Sequence, residues 1–249
     1  MTAAGNISYR ASHALPRHGE RYDRWYSSHP HLRLMWPLEQ SILRAFLDVY
    51  FGEREIRLLD FACGTGRLTS FLEPSVATSV GVDISSTMLA AARQKVKKTC
   101  LIQADLTTGN VLHGQKFNLI TAFRFFLNAE PPLRRAVIGI LASLLTPDGF
   151  LVFNNHRHRA APVVMRTYIR NRSRLRLSLN VMSIQEMRDL VAGAGLEIVE
   201  ILHAGVMFRR LESMLPESWA WVIELAAARH KCFTPLSENL IAVCRRRPG

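Results

Sequence analysis

The chain has 249 residues, 48% of them apolar, and a formal net charge of +12. That length and apolar share suffice for a full core and exclude a disordered chain. No apolar run reaches the roughly 20 residues needed to cross a bilayer, and the first twenty residues hold no apolar segment of the secretory kind, so a cytoplasmic location is expected.

Residues 1–37 read as an irregular lid or strap, with Tyr22, Trp25, Tyr26 and Trp36 set among Arg17, Arg21 and Arg24. Aromatic surface on that scale needs something to bury it. His13, His18, His29 and His31 share no metal-ligand spacing, and no metal is expected. Residues 38–50 then carry apolar side chains at helical spacing.

From residue 56 strands and helices alternate with short connections. Strands are predicted over 56–62, 79–84, 100–104, 117–123 and 150–154, with helices over 67–72, 87–98 and 132–145. The Pro131-Pro132 pair suits a helix start, and Pro147-Asp148-Gly149 a turn into the fifth strand. Repeated units of this kind imply a doubly wound, mostly parallel α/β sheet, whose ligands bind at the strands' carboxyl edge. Ser183-Ile184-Gln185-Glu186 has the capping-box form and opens a helix to about residue 194. A sixth strand over 196–203, a mostly helical insertion over 206–238 and a last strand over 239–244 complete seven strands. A second insertion, 157–182, follows the fifth strand. Cys63, Cys100, Cys232 and Cys244 have no paired spacing and read as buried, reduced thiols.

The most informative stretch is Asp60-Phe61-Ala62-Cys63-Gly64-Thr65-Gly66, where an apolar strand ends in an acid and a glycine turn leads into a helix. A second acid, Asp83, closes the next strand 17 residues past Gly66, well placed to accept hydrogen bonds from ribose hydroxyls. A nicotinamide-binding turn would carry a third glycine three residues after the second, and Thr69 stands there instead.

These motifs, with Gly81-Val82-Asp83-Ile84-Ser85, Gln103-Ala104-Asp105-Leu106, residues 117–123 and residues 144–151, resemble class I S-adenosylmethionine-dependent methyltransferases over roughly residues 38–247. Ala62 departs from the family's usual first glycine. The resemblance implies a Rossmann-like methyltransferase domain over 38–249 with a lid at 1–37, the insertions about 157–182 and 206–238 forming a substrate cap. Its cofactor is S-adenosylmethionine. It places Asp60 near the cofactor's ammonium, with Ala62, Cys63 and the N–H groups of Gly64 and Gly66 around its carboxylate. Asp83 would take the ribose hydroxyls, Ile84 would pack on adenine, and Asp105 with Leu106 would border the base. Phe123 is a cofactor-side candidate whose competing role is core packing. Tyr22 and Tyr26 fall in the lid that would close over the sulfonium, which favours an aromatic face.

Methyl transfer is an in-line displacement, so positioning dominates and a hydroxyl acceptor gains from a general base. His156, ending the fifth strand, is the candidate base. Arg124, ending the fourth, is the candidate clamp for an acidic acceptor, with a structural ion pair as the alternative. The expected acceptor is a small molecule bearing an oxygen or nitrogen nucleophile, acidic and sugar-containing molecules among them. Residues 157–176 hold seven arginines and no acid, which suits RNA, an acidic substrate or an anionic surface. RNA methylation is therefore the second reading, and a non-catalytic cofactor- or partner-binding protein the third. The sequence leaves the oligomeric state open.

Overall fold

A computed structural model of the chain describes residues 28, 30–109, 111–156, 161, 162, 165, 182–206 and 214–248. Tyr22, Tyr26 and most of the expected lid, and nearly all of the arginine-rich segment 157–176, lie outside the described residues.

Seven strands form one sheet in the order β3-β2-β1-β4-β5-β7-β6. They are β1 (Arg57–Phe61), β2 (Thr78–Asp83), β3 (Cys100–Gln103), β4 (Phe117–Ala122), β5 (Leu145–His156), β6 (Leu196–Ala204) and β7 (Asn239–Arg246). Pairs β1–β2, β1–β4, β2–β3 and β4–β5 are parallel, while β7 runs antiparallel to both β5 and β6. The helices are α1 (Pro30–Tyr50), α2 (Arg67–Leu72), α3 (Ser86–Ala92), α4 (Pro131–Leu144), α5 (Ile184–Ala192) and α6 (Glu217–Ala228). The expected mostly parallel, seven-stranded sheet is what the chain forms.

Strand alternation builds two cores from one sheet. Leu59, Ile120, Leu151, Phe153, Ala242 and Cys244 face α4 and α5, where they meet Val137, Ile138, Leu141, Met187 and Val191. Their neighbours Leu58, Leu119, Val152, Ile241 and Val243 face the other way, onto Leu43, Phe46 and Leu47 of α1 and Leu68 and Leu72 of α2. Because both faces are covered, the central strands read as continuous apolar runs rather than as an alternation.

Several boundaries move. Helix α1 spans Pro30–Tyr50 rather than opening at residue 38, with Pro37 inside it, so Trp36 is helical. The second predicted helix, 87–98, stops at Ala92, and β5 extends from Leu145 through the Pro147 turn to His156. The cysteine expectation holds for only two thiols. All four are free, but Cys63 and Cys244 are buried whereas Cys100 and Cys232 are exposed. Cys100 begins β3, the outermost strand, and an edge strand has no neighbour to cover it. Cys232 lies in the 3₁₀ turn Lys231–Leu236, which contains no buried residue.

Candidate functional site

Parallel crossovers bring the ends of β1, β2, β4 and β5 to one edge, and the polar residues collect there. Asp60 is 1% exposed on β1. Its two oxygens accept the hydroxyls of Thr69, from α2, and Thr121, from β4 at 2.7 Å. Burial pushes the Asp60 carboxyl up to about 6; the Thr69 and Thr121 hydrogen bonds oppose this, Asp83 adds to it, and Arg67 opposes it. Thr69, which stands where a dinucleotide fold has its third glycine, is thus a donor to the motif acid.

Asp83 ties the edge together. Its Oδ2 accepts the N–H of Gly64 at 2.8 Å, and its Oδ1 accepts the N–H of Ser85 at 2.8 Å. A carboxylate oxygen accepts more than one hydrogen bond, so this anchoring is compatible with further donors from a sugar. Asp105 is held in an Asx turn, Oδ1 accepting the N–H and hydroxyl of Thr107 at 2.9 and 2.7 Å.

The turn itself engages the two amides expected around the cofactor's carboxylate. The N–H of Gly64 is given to Asp83, and that of Gly66 donates to the carbonyl of Cys63 at 3.0 Å. Both amides thus stabilise the loop. Gly66 has a steric duty as well: at φ 71°, a Cβ there would come within 2.9 Å of the Ala92 Cβ, so the glycine lets α2 approach α3. Ala62 shares the left-handed conformation at φ 54°, which costs an alanine roughly 1–2 kcal/mol that the family's usual glycine avoids.

Two adjoining hollows open at this edge and share Ala62 and Asp83. One is a narrow slot of about 30 Å³ whose walls include Phe61, Ile84, Leu106 and Phe125, with Asp83 and Asp105 as its acids. The other, about 240 Å³, is reached by the charged and polar groups of Asp60, Arg67, Arg124, Asn128 and His156, with Cys63 beside them. Phe123 also lines it, while packing at 8% exposure into the core. A larger hollow of about 390 Å³ between α4 and α5 borders none of the predicted site residues. Predicted residues Asp60, Ala62, Cys63, Gly64, Asp83, Ile84, Asp105, Leu106, Phe123, Arg124 and His156 all line the joined hollows, and Gly66 does not.

Arg124 follows β4 at φ 62°, an outlying conformation for a non-glycine residue. Its N–H donates to Asn154 Oδ1 and its carbonyl accepts from Asn128 Nδ2, both at 2.6 Å. Its guanidinium pairs with Glu39 of α1 at 3.3 Å, and Glu39 Oε1 also accepts from Asn239 Nδ2 at 2.8 Å. Sequence reasoning missed Glu39, Thr121 and Asn154. Asn154 did leave a signal, because two adjacent asparagines in an apolar strand must find partners: Asn154 Nδ2 donates to Asn239 Oδ1 at 3.2 Å and Asn155 Nδ2 to the Met182 carbonyl at 3.2 Å.

The donor set fits an adenosyl amino acid: acids at three strand ends, an apolar slot beside two of them, and a charged hollow beside the third. Comparison with known proteins agrees. Residues 35–201 match a family described as a methyltransferase domain. A ubiquinone biosynthesis O-methyltransferase of Actinobacillus pleuropneumoniae is 27% identical over 49% of this chain and 54% of its own length. A putative methyltransferase of a Geobacillus species is 32% identical over 47% and 49%. The chain thus spans about half the length of these curated relatives. Among solved structures, a Thermotoga maritima S-adenosylmethionine-dependent methyltransferase, described as a possible histamine N-methyltransferase, shares the fold at TM-score 0.64 and 16% identity, over 93% of this chain and 97% of that one. Magnesium protoporphyrin IX methyltransferase from Synechocystis, with bound S-adenosylhomocysteine, does so at TM-score 0.62 and 16% identity, over 92% and 95%. The chain belongs to the methyltransferase-domain family and has the fold of S-adenosylmethionine-dependent methyltransferases.

Proposed function

We propose that this protein transfers the methyl group of S-adenosylmethionine to an oxygen or nitrogen of a small molecule. The observation that carries the reading is the pair of hollows joined at Asp83, apolar on one side and charged on the other. S-adenosylmethionine supplies an electrophilic methyl group on a sulfonium centre. This chain's residues hold and orient. The slot of Phe61, Ile84, Leu106 and Phe125 excludes water around the base, and Asp105 accepts from its amino group. Asp83 accepts from the ribose, and Asp60 in its ionised form attracts the ammonium.

His156 stands on the wall of the charged hollow and takes the proton of a hydroxyl acceptor as general base. Arg124, paired with Glu39, acts as a positioning residue that shapes the same wall. Small-molecule O-methylation is the activity that the Actinobacillus relative's name gives that protein, and it supports the choice of acceptor class over RNA. The expected lid and the insertions 157–182 and 206–238, most of whose residues outside α1 and α6 lie outside the described residues, belong to this proposal as the walls around the acceptor.

Calorimetry with S-adenosylmethionine tests the reading. Wild-type protein is expected to bind it, and Asp83→Ala to bind at least about tenfold more weakly through loss of charge-assisted hydrogen bonds. With an acceptor found by screening phenols, acids and amines, His156→Ala is expected to lose kcat by about a hundredfold or more with cofactor affinity unchanged. Absence of cofactor binding by the wild type would sink the proposal.

A further inference from the structure

The outer face of α6 is built the wrong way round for a helix in water. Trp219, Val222 and Ile223 are 66%, 63% and 42% exposed, and exposed Ala226 continues the stripe at helical spacing. Glu224, by contrast, points inward at 2% exposure, where Oε2 accepts the N–H groups of Gly205 and Val206 at 3.0 Å each. The inner side is further secured by Trp221, which packs against the cluster of Met35, Leu38 and Ala204. The core is therefore complete without the outer stripe. A contiguous exposed apolar row on a stable helix marks a surface that meets something else.

The flanking charge says what that is. The stripe runs into Arg229, His230 and Lys231, all exposed, on a chain of net charge +12. A second copy would bring this positive charge against itself. An anionic lipid surface would accept both halves, with indole and aliphatic groups entering the headgroup boundary and cations resting on the phosphates. Placement favours it too. Ala204, at the end of β6, pairs with Asn239, which pairs with His156 on β5. The point where Glu224 anchors α6 is thus two strands, about 10 Å, from the predicted base, on the edge of the sheet that carries the site. We propose that the Trp219, Val222 and Ile223 face of α6 docks this protein peripherally on an anionic lipid surface. The inference stands independently of the methyl-transfer reading.

Co-sedimentation of the full-length protein with vesicles tests it, comparing phosphatidylcholine alone with phosphatidylcholine plus phosphatidylglycerol. Expected are partition onto the anionic vesicles, weakening with added salt, and a loss of about tenfold or more in the Val222→Glu, Ile223→Glu double variant. Trp219→Ala is a milder variant should the charged one fail to fold, and the pair Arg229→Gln, Lys231→Gln tests the basic flank with the stripe intact. Three results would overturn the proposal: wild type remaining in the supernatant with both vesicles, stripe variants binding as tightly as wild type, or a dimer dissolved by Val222→Glu with no vesicle binding. Calorimetry with S-adenosylmethionine on the same samples keeps the two readings apart. Vesicle binding without cofactor binding refutes the function and leaves the docking surface standing.

Discussion

Asp60 is almost wholly buried and accepts two threonine hydroxyls, yet burial outweighs them and pushes its carboxyl up to about 6 from an ordinary 3.8. The folded chain therefore binds this proton more tightly than the unfolded chain. Without a ligand, Asp60 alone favours folding more as pH falls from about 6 toward 3.8. An ammonium ligand needs the anion, so cofactor affinity has the opposite sign. It is expected to fall by up to about tenfold per pH unit below about 6 and to level off above it. Asp60→Asn should flatten that profile and lower the plateau about tenfold or more. Calorimetric titrations across this range decide it, and a flat wild-type profile would remove Asp60 from the ammonium role. Thr69 and Thr121 were invisible as partners because their hydroxyls meet Asp60 only once α2 and β4 pack beside β1.

Among elements, the connection from α3 to β3 is held by Glu73. Its carboxylate accepts the N–H groups of Lys97, Lys98 and Thr99 and the Thr99 hydroxyl, at 2.7 to 3.0 Å. Burial pushes this carboxyl up, but the Thr99 side-chain bond and the three backbone bonds prevail and hold it at about 2, below the ordinary 4.5. The stability it supplies is present in full above about 4.5 and is lost as pH falls toward 2. Glu73→Ala is expected to cost about 2 kcal/mol in urea denaturation near neutral pH, since it strands several backbone donors. A cost near zero would mean water replaces the carboxylate. Helix α1 joins the site edge through Glu39, fully buried, and Arg124 with 17% of its side chain exposed. A double-mutant cycle on Glu39→Ala and Arg124→Ala should return a coupling of about 1–3 kcal/mol. Additive losses would show that the pair does not join the two elements.

For the molecule as a whole, a net charge of +12 makes the folded state repel itself. Salt screens that repulsion, so the melting temperature should rise by a few degrees between about 0.02 M and 0.3 M salt; a fall would mean that attractive pairs dominate. Among the described residues no helix is long and apolar enough to cross a membrane, and α6 shows its apolar face on the outside instead. Sequence reading of 206–238 found the helix but not this face. Trp219, Val222 and Ile223 look like core residues until Glu224 is seen to take the inward position.

What the amino-acid sequence determined alone was the sheet and the identity of its edge. Apolar runs of strand length, each closed by an acid or a turn, leave the backbone few other ways to bury itself. Asp60, Asp83 and Asp105 were therefore legible as one constellation before any contact was known. The ends of elements were less legible. Helix α1 is already formed at Pro30, well before residue 38, and Pro37 is carried inside it against local preference. Tertiary structure alone decided how the glycine turn is used. Both of its predicted amides are consumed, Gly64 by Asp83 and Gly66 by Cys63. Tertiary structure likewise supplied Arg124 with its partner Glu39, 85 residues away, the ion pair that stood as the alternative to a clamp. Hydrogen bonds and ion pairs between distant residues depend on distances that local sequence pattern does not encode.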